Sequence, residues 1–241
     1  MSDLKEDIKI IDKLGYGMLL AFVGGFMDLY SYIVRGNVFA TGQTGNFVLV
    51  AVHLAQRNYI ETLHAIIPIV SFWLGIFIAW HLFYSHFKEE QISWERGILA
   101  IEIFILFITG FVPCSYPNII ANTFVSFAAS FQYCAFRKFS TDEDYASIFC
   151  TGNMRSCAEN LYNGFLKKDK QCLKKALRYS YILISFFAGA IIGSFESGIL
   201  HEKAIWSVSA VLLVVLLSSF LSNAAIFKNT VEFKGIMKEH F

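Results

Sequence analysis

Six stretches of the chain are apolar enough to cross a lipid bilayer, and they constrain the fold more than any other feature. They cover approximately residues 15–34, 63–85, 97–112, 118–136, 177–197 and 204–223. About 20 residues of helix span the hydrocarbon core, and a chain inside it must satisfy its backbone hydrogen bonds internally. The sequence therefore predicts an all-α integral membrane protein with six transmembrane helices.

The composition agrees with this class and argues against others. Of the 241 residues, 56% are hydrophobic and only 16% are charged, whereas soluble proteins carry about a quarter charged residues. The formal net charge is +1, so the chain lacks the basic footprint that binding to nucleic acid needs. The lipid bilayer is the first partner that we expect.

The distribution of Lys and Arg predicts which helix ends face the cytoplasm. With six crossings, 17 of the 20 basic residues fall on the side of the two termini, and the other side keeps only Arg35, Arg57 and Lys203. Short cytoplasmic loops collect Lys and Arg, so both termini are predicted to be cytoplasmic. A seven-crossing alternative, in which residues 38–55 also span, divides the basic residues 15 to 5.

The tripeptide Thr-Gly-Asn occurs twice, and a related motif follows each copy. Ser71–Gly75 (SFWLG) lies 27 residues after Thr44, and Ser185–Gly189 (SFFAG) lies 34 residues after Thr151. Each half of the chain then contains a spanning helix, a short helix that begins at Thr-Gly-Asn, and two further spanning helices. Because three crossings is an odd number, the second half must be inverted relative to the first.

This pattern predicts one transmembrane domain over residues 15–223, composed of repeat one (15–112) and repeat two (118–223). Residues 1–14 and 224–241 flank the domain as cytoplasmic segments. Inverted repeats are typical of secondary transporters, whose binding sites often lie near the bilayer midplane where discontinuous helices meet. The alternative is a duplication that serves only stability.

Polar residues at the two short helices are the candidates for ligand binding. In each tripeptide the Thr is predicted to cap the helix, the Gly to allow a tight turn and the Asn to offer an amide. A helix start inside the membrane also presents partial positive charge to an anionic group. The alternative is that each copy is a cap and nothing more. The candidate ligand residues are Thr44, Gly45, Asn46, Thr151, Gly152, Asn153 and Gln132.

Two acids within spanning segments are candidates for proton or ion coupling. Asp28 has apolar residues on both sides, and a carboxylate in the middle of a membrane helix costs about 2.5–3.5 kcal/mol on insertion scales. The alternative to coupling is an internal hydrogen bond to Asn153, Gln132 or Arg137 that locks helices together. Glu102 lies near the predicted cytoplasmic end of its helix, where its carboxylate is expected to reach the interface or a pore mouth, and a structural role is favoured there.

Signatures of catalysis are missing from the sequence. The six histidines show neither H-x-x-x-H nor H-E-x-x-H spacing, so no helical metal site is predicted. The sequence contains no G-x-S-x-G motif, no Walker loop and no dinucleotide fingerprint. We therefore expect a protein that is not an enzyme and that holds no cofactor or metal.

Several motifs together resemble the YoaK-like family of bacterial multi-pass membrane proteins. The resemblance covers about residues 13–223, and its motifs are Gly25–Asp28 (GFMD), Gly36–Ala40 (GNVFA), Thr44–Asn46, Phe131-Gln132 followed by Arg137, and Thr151-Gly152. Because this family is a domain of unknown function, the resemblance implies a bacterial inner-membrane protein of about six helices with no assigned substrate. The sequence departs from the family pattern at Tyr133-Cys134 and in the acidic loop Asp142–Asp144.

These features predict a secondary transporter or permease for a small polar or anionic solute, with proton coupling as an option. In this hypothesis Asn46 and Asn153 orient the solute and Asp28 supplies a protonatable charge, while one repeat rocks against the other. The competing hypothesis is a structural or regulatory membrane protein that binds a lipid or protein partner and moves nothing. A homo-oligomer is left open. The hypotheses differ in whether these three residues share one hydrated cavity or are buried separately.

Overall fold

The computed structural model describes residues 2–87, 91–136 and 150–221, and side chains over 14–86, 93–136 and 150–221. Arg137, the acidic loop Asp142–Asp144 and the predicted C-terminal segment 224–241 lie outside the described residues. Within the described ranges the chain is helical, without any β-strand.

The described helices overlie all six predicted segments. The first helix also extends back through most of the predicted N-terminal segment, since it begins at Ser2. In chain order the elements are α1 Ser2–Val34, α2 Gln43–Ala55, α3 Tyr59–Leu82 with a π-helical turn Phe83–Phe87, α4 Gln91–Thr109, α5 Asn118–Ala135, α6 Cys150–Leu166, α7 Lys170–Leu200, a 3-10 turn His201–Ala204 and α8 over residues 205–221.

Three helical stretches are long and apolar enough to cross a membrane by length and composition. They are Leu14–Val34, Tyr59–His86 and Lys170–Leu221, the last of which runs through α7, the 3-10 turn and α8. The helices α4 and α5 have 19 and 18 residues, but α4 carries three charged residues and α5 carries three Asn or Gln residues. The chain is therefore an all-helical membrane protein over its described part.

Large apolar side chains cover the outer surface of the long helices. On α3, Trp73 and Phe77 are 67% and 68% exposed, and on α7, Phe187 and Phe195 are 67% and 71% exposed. A soluble monomer rarely exposes continuous apolar faces of this kind. Contact with lipid hydrocarbon explains them.

The short helix α2 does not support the seven-crossing alternative. It has 13 residues, which at the α-helical rise is a length of about 20 Å, against a hydrocarbon core of about 30 Å. Residues 38–42, which that alternative included in the span, form the non-helical end of the connection from α1.

The helices pack in two matching sets. The first helix of each half packs along the third helix of the other half, as α1 with α7 and α5 with α3. Each short helix packs on the helix that follows it, as α2 on α3 and α6 on α7. Exchanging the two halves therefore maps these pairs onto each other.

The final glycines of the two related motifs lie at matching contacts. A Cβ on Gly189 would overlap the carbonyl oxygen of Phe22 on α1. A Cβ on Gly75 would overlap the hydroxyl oxygen of Ser130 on α5 and lie 3.0 Å from the carbonyl oxygen of Phe127 on the same helix. Small residues let two helix backbones approach this closely. The recurring glycine is thus explained by contact with the first helix of the opposite half.

The two short helices also end alike. Arg57, two residues beyond α2, and Lys168, two residues beyond α6, have positive φ angles of 56° and 55°. The next residue in each case, Asn58 or Asp169, caps the following helix by accepting a hydrogen bond from backbone N–H groups. The two tripeptides, Gln56–Asn58 and Lys167–Asp169, share no identical residue, so this correspondence is visible only in the structure.

Candidate functional site

Asp28 lies beside the start of the first short helix. Its side chain is 7% exposed. The carboxylate accepts hydrogen bonds from the backbone N–H groups of Thr41 at 2.7 Å and Gly42 at 3.2 Å, and from the Thr41 hydroxyl at 2.7 Å. Because Gly42 immediately precedes α2, the carboxylate faces the positive end of that helix.

The start of the second short helix lies near the same carboxyl group. Cys150 is the first residue of α6. Burial raises the pKa of the Cys150 thiol to about 11, and the Asp28 carboxyl group acts on it in the same direction. Such an interaction falls off with distance, so the Cys150 thiol lies within electrostatic range of Asp28. The hydrogen bonds that Asp28 accepts come from the loop that precedes α2.

Asn46 holds together the loop that donates to Asp28. Its side chain is fully buried. The Oδ1 atom accepts a hydrogen bond from the backbone N–H of Phe39 at 2.9 Å, and the Nδ2 atom donates to the carbonyl of Phe39 at 2.7 Å and to Oε1 of Gln43 at 2.9 Å. In this conformation the amide is engaged by the protein itself.

The two Thr-Gly-Asn copies place their residues alike. In both α2 and α6 the Thr is the second residue and is exposed, whereas the Asn is the fourth residue and is buried. The predicted N-cap role of Thr44 is wrong, because the N-cap of α2 is Gly42, two residues earlier, where Asp28 accepts hydrogen bonds from the N–H groups of Thr41 and Gly42. Thr151 likewise lies inside α6.

The two glycines of the tripeptides lie within helices and do not form the predicted turns. A Cβ on Gly45 would lie 2.8 Å from Cδ2 of the Phe39 ring, which explains the absence of a side chain there. A Cβ on Gly152 would meet no atom within 4 Å. The first glycine thus has a packing reason, and no contact explains the second.

Gln132 and Glu102 lie in the interior and are absent from the recorded bonds around Asp28. Gln132 is fully buried, and its Nε2 atom donates to the carbonyl of Leu20 at 3.0 Å, which ties α5 to α1. Glu102 is also fully buried. The expectation that its carboxylate reaches the membrane interface is wrong, because Glu102 shares a helix face with the buried residues Leu99 and Leu106.

Arg35 is a buried polar residue. From the sequence it is predicted only to lie in a loop on the side of the membrane opposite the termini. It is fully buried at the end of α1. Its Nε atom donates to the Tyr30 hydroxyl at 2.9 Å and its Nη2 atom to the carbonyl of Val112 at 2.7 Å, while Asn122 donates to the Arg35 carbonyl at 2.6 Å. These bonds join α1 to α5 and to the α4–α5 connection. A lone Arg at a segment end carries no signal that distinguishes this role from an exposed one.

Metal binding has no support in the part of the chain that the structure describes. Over residues 2–87, 91–136 and 150–221, no group of three or more His, Cys, Asp or Glu side chains is placed to hold a metal ion. The site is therefore described by its hydrogen bonds and its charges alone.

Comparison with known proteins places the candidate site residues inside the region that one family model matches. The family model for Protein of unknown function (DUF1275) matches residues 16–218. The chain is also similar to UPF0700 transmembrane protein YoaK of Bacillus subtilis (strain 168), with 26% identity over 196 residues, or 78% of this chain and 85% of that protein. No solved structure matches the chain. The matched range extends from α1 into α8 and includes every candidate site residue.

Proposed function

The chain belongs to the family described as Protein of unknown function (DUF1275), as its resemblance to the YoaK-like proteins predicted, and from this premise we propose that it is a secondary transporter or permease. The proposed cargo is a small polar or anionic solute, and the proposed location is the bacterial inner membrane with both termini in the cytoplasm. The proposed role is not enzymatic, and its partners are the bilayer and the solute.

One observation carries this proposal, namely the position of Asp28. A carboxylate within a spanning helix is expensive and is commonly functional. Here it accepts hydrogen bonds beside the start of α2, and it acts electrostatically on Cys150, the first residue of α6. Discontinuous helices that meet at a buried polar residue are the usual construction of a transporter binding site.

The matched packing of the two halves supports alternating access. The pairs α1 with α7 and α5 with α3 are related by exchange of the halves, and the glycines Gly189 and Gly75 make corresponding close approaches. We take the halves as inverted repeats of three spanning helices each. Movement of one half against the other would then expose Asp28 alternately to the two faces.

The hydrogen bonds around Asp28 and Asn46 belong to a closed conformation in this proposal. Both side chains bind the loop that precedes α2. When that loop moves away, the same donors and acceptors become available to a polar solute. Asp28, Asn46 and Asn153 are the residues proposed to meet the solute, and the candidates for coupling to a proton or ion are Asp28 and Glu102, either alone or together.

A structural or regulatory role is the second candidate, and one observation favours it. In the described conformation Asn46 uses both of its polar atoms within the protein. In a protein that transports no solute, these hydrogen bonds would serve only to stabilise the loop that precedes α2.

Reconstituted protein is expected to carry solute-dependent proton flux, and Asp28→Asn is expected to reduce that flux at least about tenfold, a change of about 1.4 kcal/mol. The measurement uses proteoliposomes under a pH gradient, with anionic and neutral metabolites offered in turn. Asp169→Asn is the matched control, because Asp169 is an exposed helix cap and its loss should leave the flux unchanged.

Folding of each variant is checked by size-exclusion chromatography before reconstitution. Folded wild-type protein that carries no flux with any solute would contradict the transporter proposal and favour the structural role. Flux that survives in Asp28→Asn at the wild-type rate would remove Asp28 from the mechanism.

A further inference from the structure

Among the described residues, Asp28 and Glu102 have buried carboxyl side chains, and the surroundings of these two groups are opposite. Three donors point at the Asp28 carboxylate, namely the N–H and hydroxyl groups of Thr41 and the N–H of Gly42. Neither oxygen of Glu102 has a hydrogen-bond partner among the described residues. The same chemical group is therefore solvated by the protein in one place and left without partners in the other.

These surroundings favour opposite charge states. A carboxylate that accepts several N–H and O–H bonds is stabilised in its ionised form, and a proton on Asp28 would displace one of its donors. An ionised carboxylate buried without a partner is strongly unfavourable, so such a group neutralises by taking up a proton. Asp28 is thereby suited to be an anion and Glu102 to be a neutral acid.

Apolar residues surround the face of α4 that carries Glu102. Leu99 and Leu106 lie on the same face and belong to the main apolar cluster, together with Val125 of α5 and Val208 and Leu212 of α8. Glu102 itself has no exposed surface. In this conformation water does not reach the carboxyl group.

Among the described residues, no charged side chain of the neighbouring helices is bonded to Glu102. Helix α5 carries no Asp, Glu, Lys, Arg or His, and its titratable residues are Tyr133 and Cys134. Helix α8 has no titratable residue over 205–221. Over residues 14–34, helix α1 carries Asp28, which is bonded to its own loop, and Tyr16, Tyr30 and Tyr32. Arg35 follows the helix and donates a hydrogen bond to the Tyr30 hydroxyl.

We propose that Glu102 is the proton-binding residue of this protein, and that Asp28 remains an ionised carboxylate that organises the solute site. In the described conformation Glu102 holds a proton and is shielded from water. When the halves move, its carboxyl group meets water on one face and releases the proton to it, and the carboxylate takes a proton from water on the other face before closing. One O–H bond breaks and one forms, and no other reactant is needed.

The protonation state of Glu102 can be measured without transport, whereas its coupling role rests on the proposed function. Infrared spectroscopy of the reconstituted protein near neutral pH measures the protonation state directly. The expected result is a protonated carboxylic acid C=O band that is lost in Glu102→Gln and kept in Asp28→Asn. Glu159→Gln, which removes an exposed acid on α6, is the control and should leave the band unchanged. A band that is absent from the wild type, or lost in Asp28→Asn instead, would overturn the assignment.

Flux measurements separate the coupling role from the proposed function. Glu102→Gln is nearly isosteric, so the variant is expected to fold and to exchange solute for solute across the membrane, but to lose solute-driven proton movement at least tenfold. Undiminished proton movement in this variant would overturn the coupling role. Wild-type protein with the infrared band but without any solute flux would refute the transporter proposal and the coupling role, and would leave Glu102 as a protonated structural acid.

Discussion

Replacing Gly189 with alanine is expected to destabilise the protein strongly. The added Cβ would overlap the carbonyl oxygen of Phe22 and lie 2.7 Å and 2.9 Å from the carbonyl carbon and Cα of that residue. Because these are backbone atoms, the steric overlap is relieved only if α1 and α7 move apart. Overpacking costs about 1–3 kcal/mol and more where the backbone must move. Thermal unfolding in detergent should show a midpoint lowered by several degrees.

Gly198→Ala on the same helix is the matched control. A Cβ at Gly198 would meet no atom within 4 Å, and alanine favours a helix over glycine by about 1 kcal/mol. This variant is therefore expected to keep or raise the midpoint. Equal losses in both variants would show that the Phe22 contact is not the cause.

Asn46→Leu is expected to give the second large loss. Leucine has a similar volume but leaves the N–H and carbonyl groups of Phe39 without the partners that Asn46 supplies. Each buried polar group that loses its partner costs about 1–3 kcal/mol. The loop that holds Thr41 and Gly42 against Asp28 should loosen as a consequence. Hydrogen exchange at residues 36–45 and the thermal midpoint measure both effects.

Thr44→Ala is the control for Asn46→Leu within the same tripeptide. Thr44 is exposed and does not cap α2, so the change should have little effect on stability or on hydrogen exchange. If hydrogen exchange in Asn46→Leu is as slow as in Thr44→Ala, the Asn46 amide does not hold the loop before α2 in place.

The positions of the helices could be predicted because they follow from hydropathy. Every predicted spanning segment overlies a helix, and the short helices begin within two residues of the predicted Thr44 and Thr151. The recurring Gly75 and Gly189 both lie at close contacts, Gly75 against α5 and Gly189 against α1. A close helix contact that only glycine can occupy is visible in the sequence as a recurring glycine.

The surroundings of individual polar residues could not be predicted. Hydropathy does not report how a helix is rotated about its axis, and α4 is apolar on several sides, so the sequence does not predict the complete burial of Glu102. The sequence predicts Arg35 as a loop cation, since burial of its guanidinium depends on Tyr30 and on Val112, which is distant in sequence. The bonding of Asn46 depends on a loop conformation that no local pattern specifies.

The opposite orientation of the two halves is the claim on which the transport proposal depends most. It is tested by adding single cysteines at Gln56, beyond the end of α2, and at Lys167, beyond the end of α6, both of which are exposed. The background protein carries Cys114→Ser and Cys172→Ser. In intact cells a membrane-impermeant maleimide is predicted to label Gln56→Cys, and to label Lys167→Cys only after the membrane is opened. Labelling of both positions from the same face would contradict the inverted arrangement.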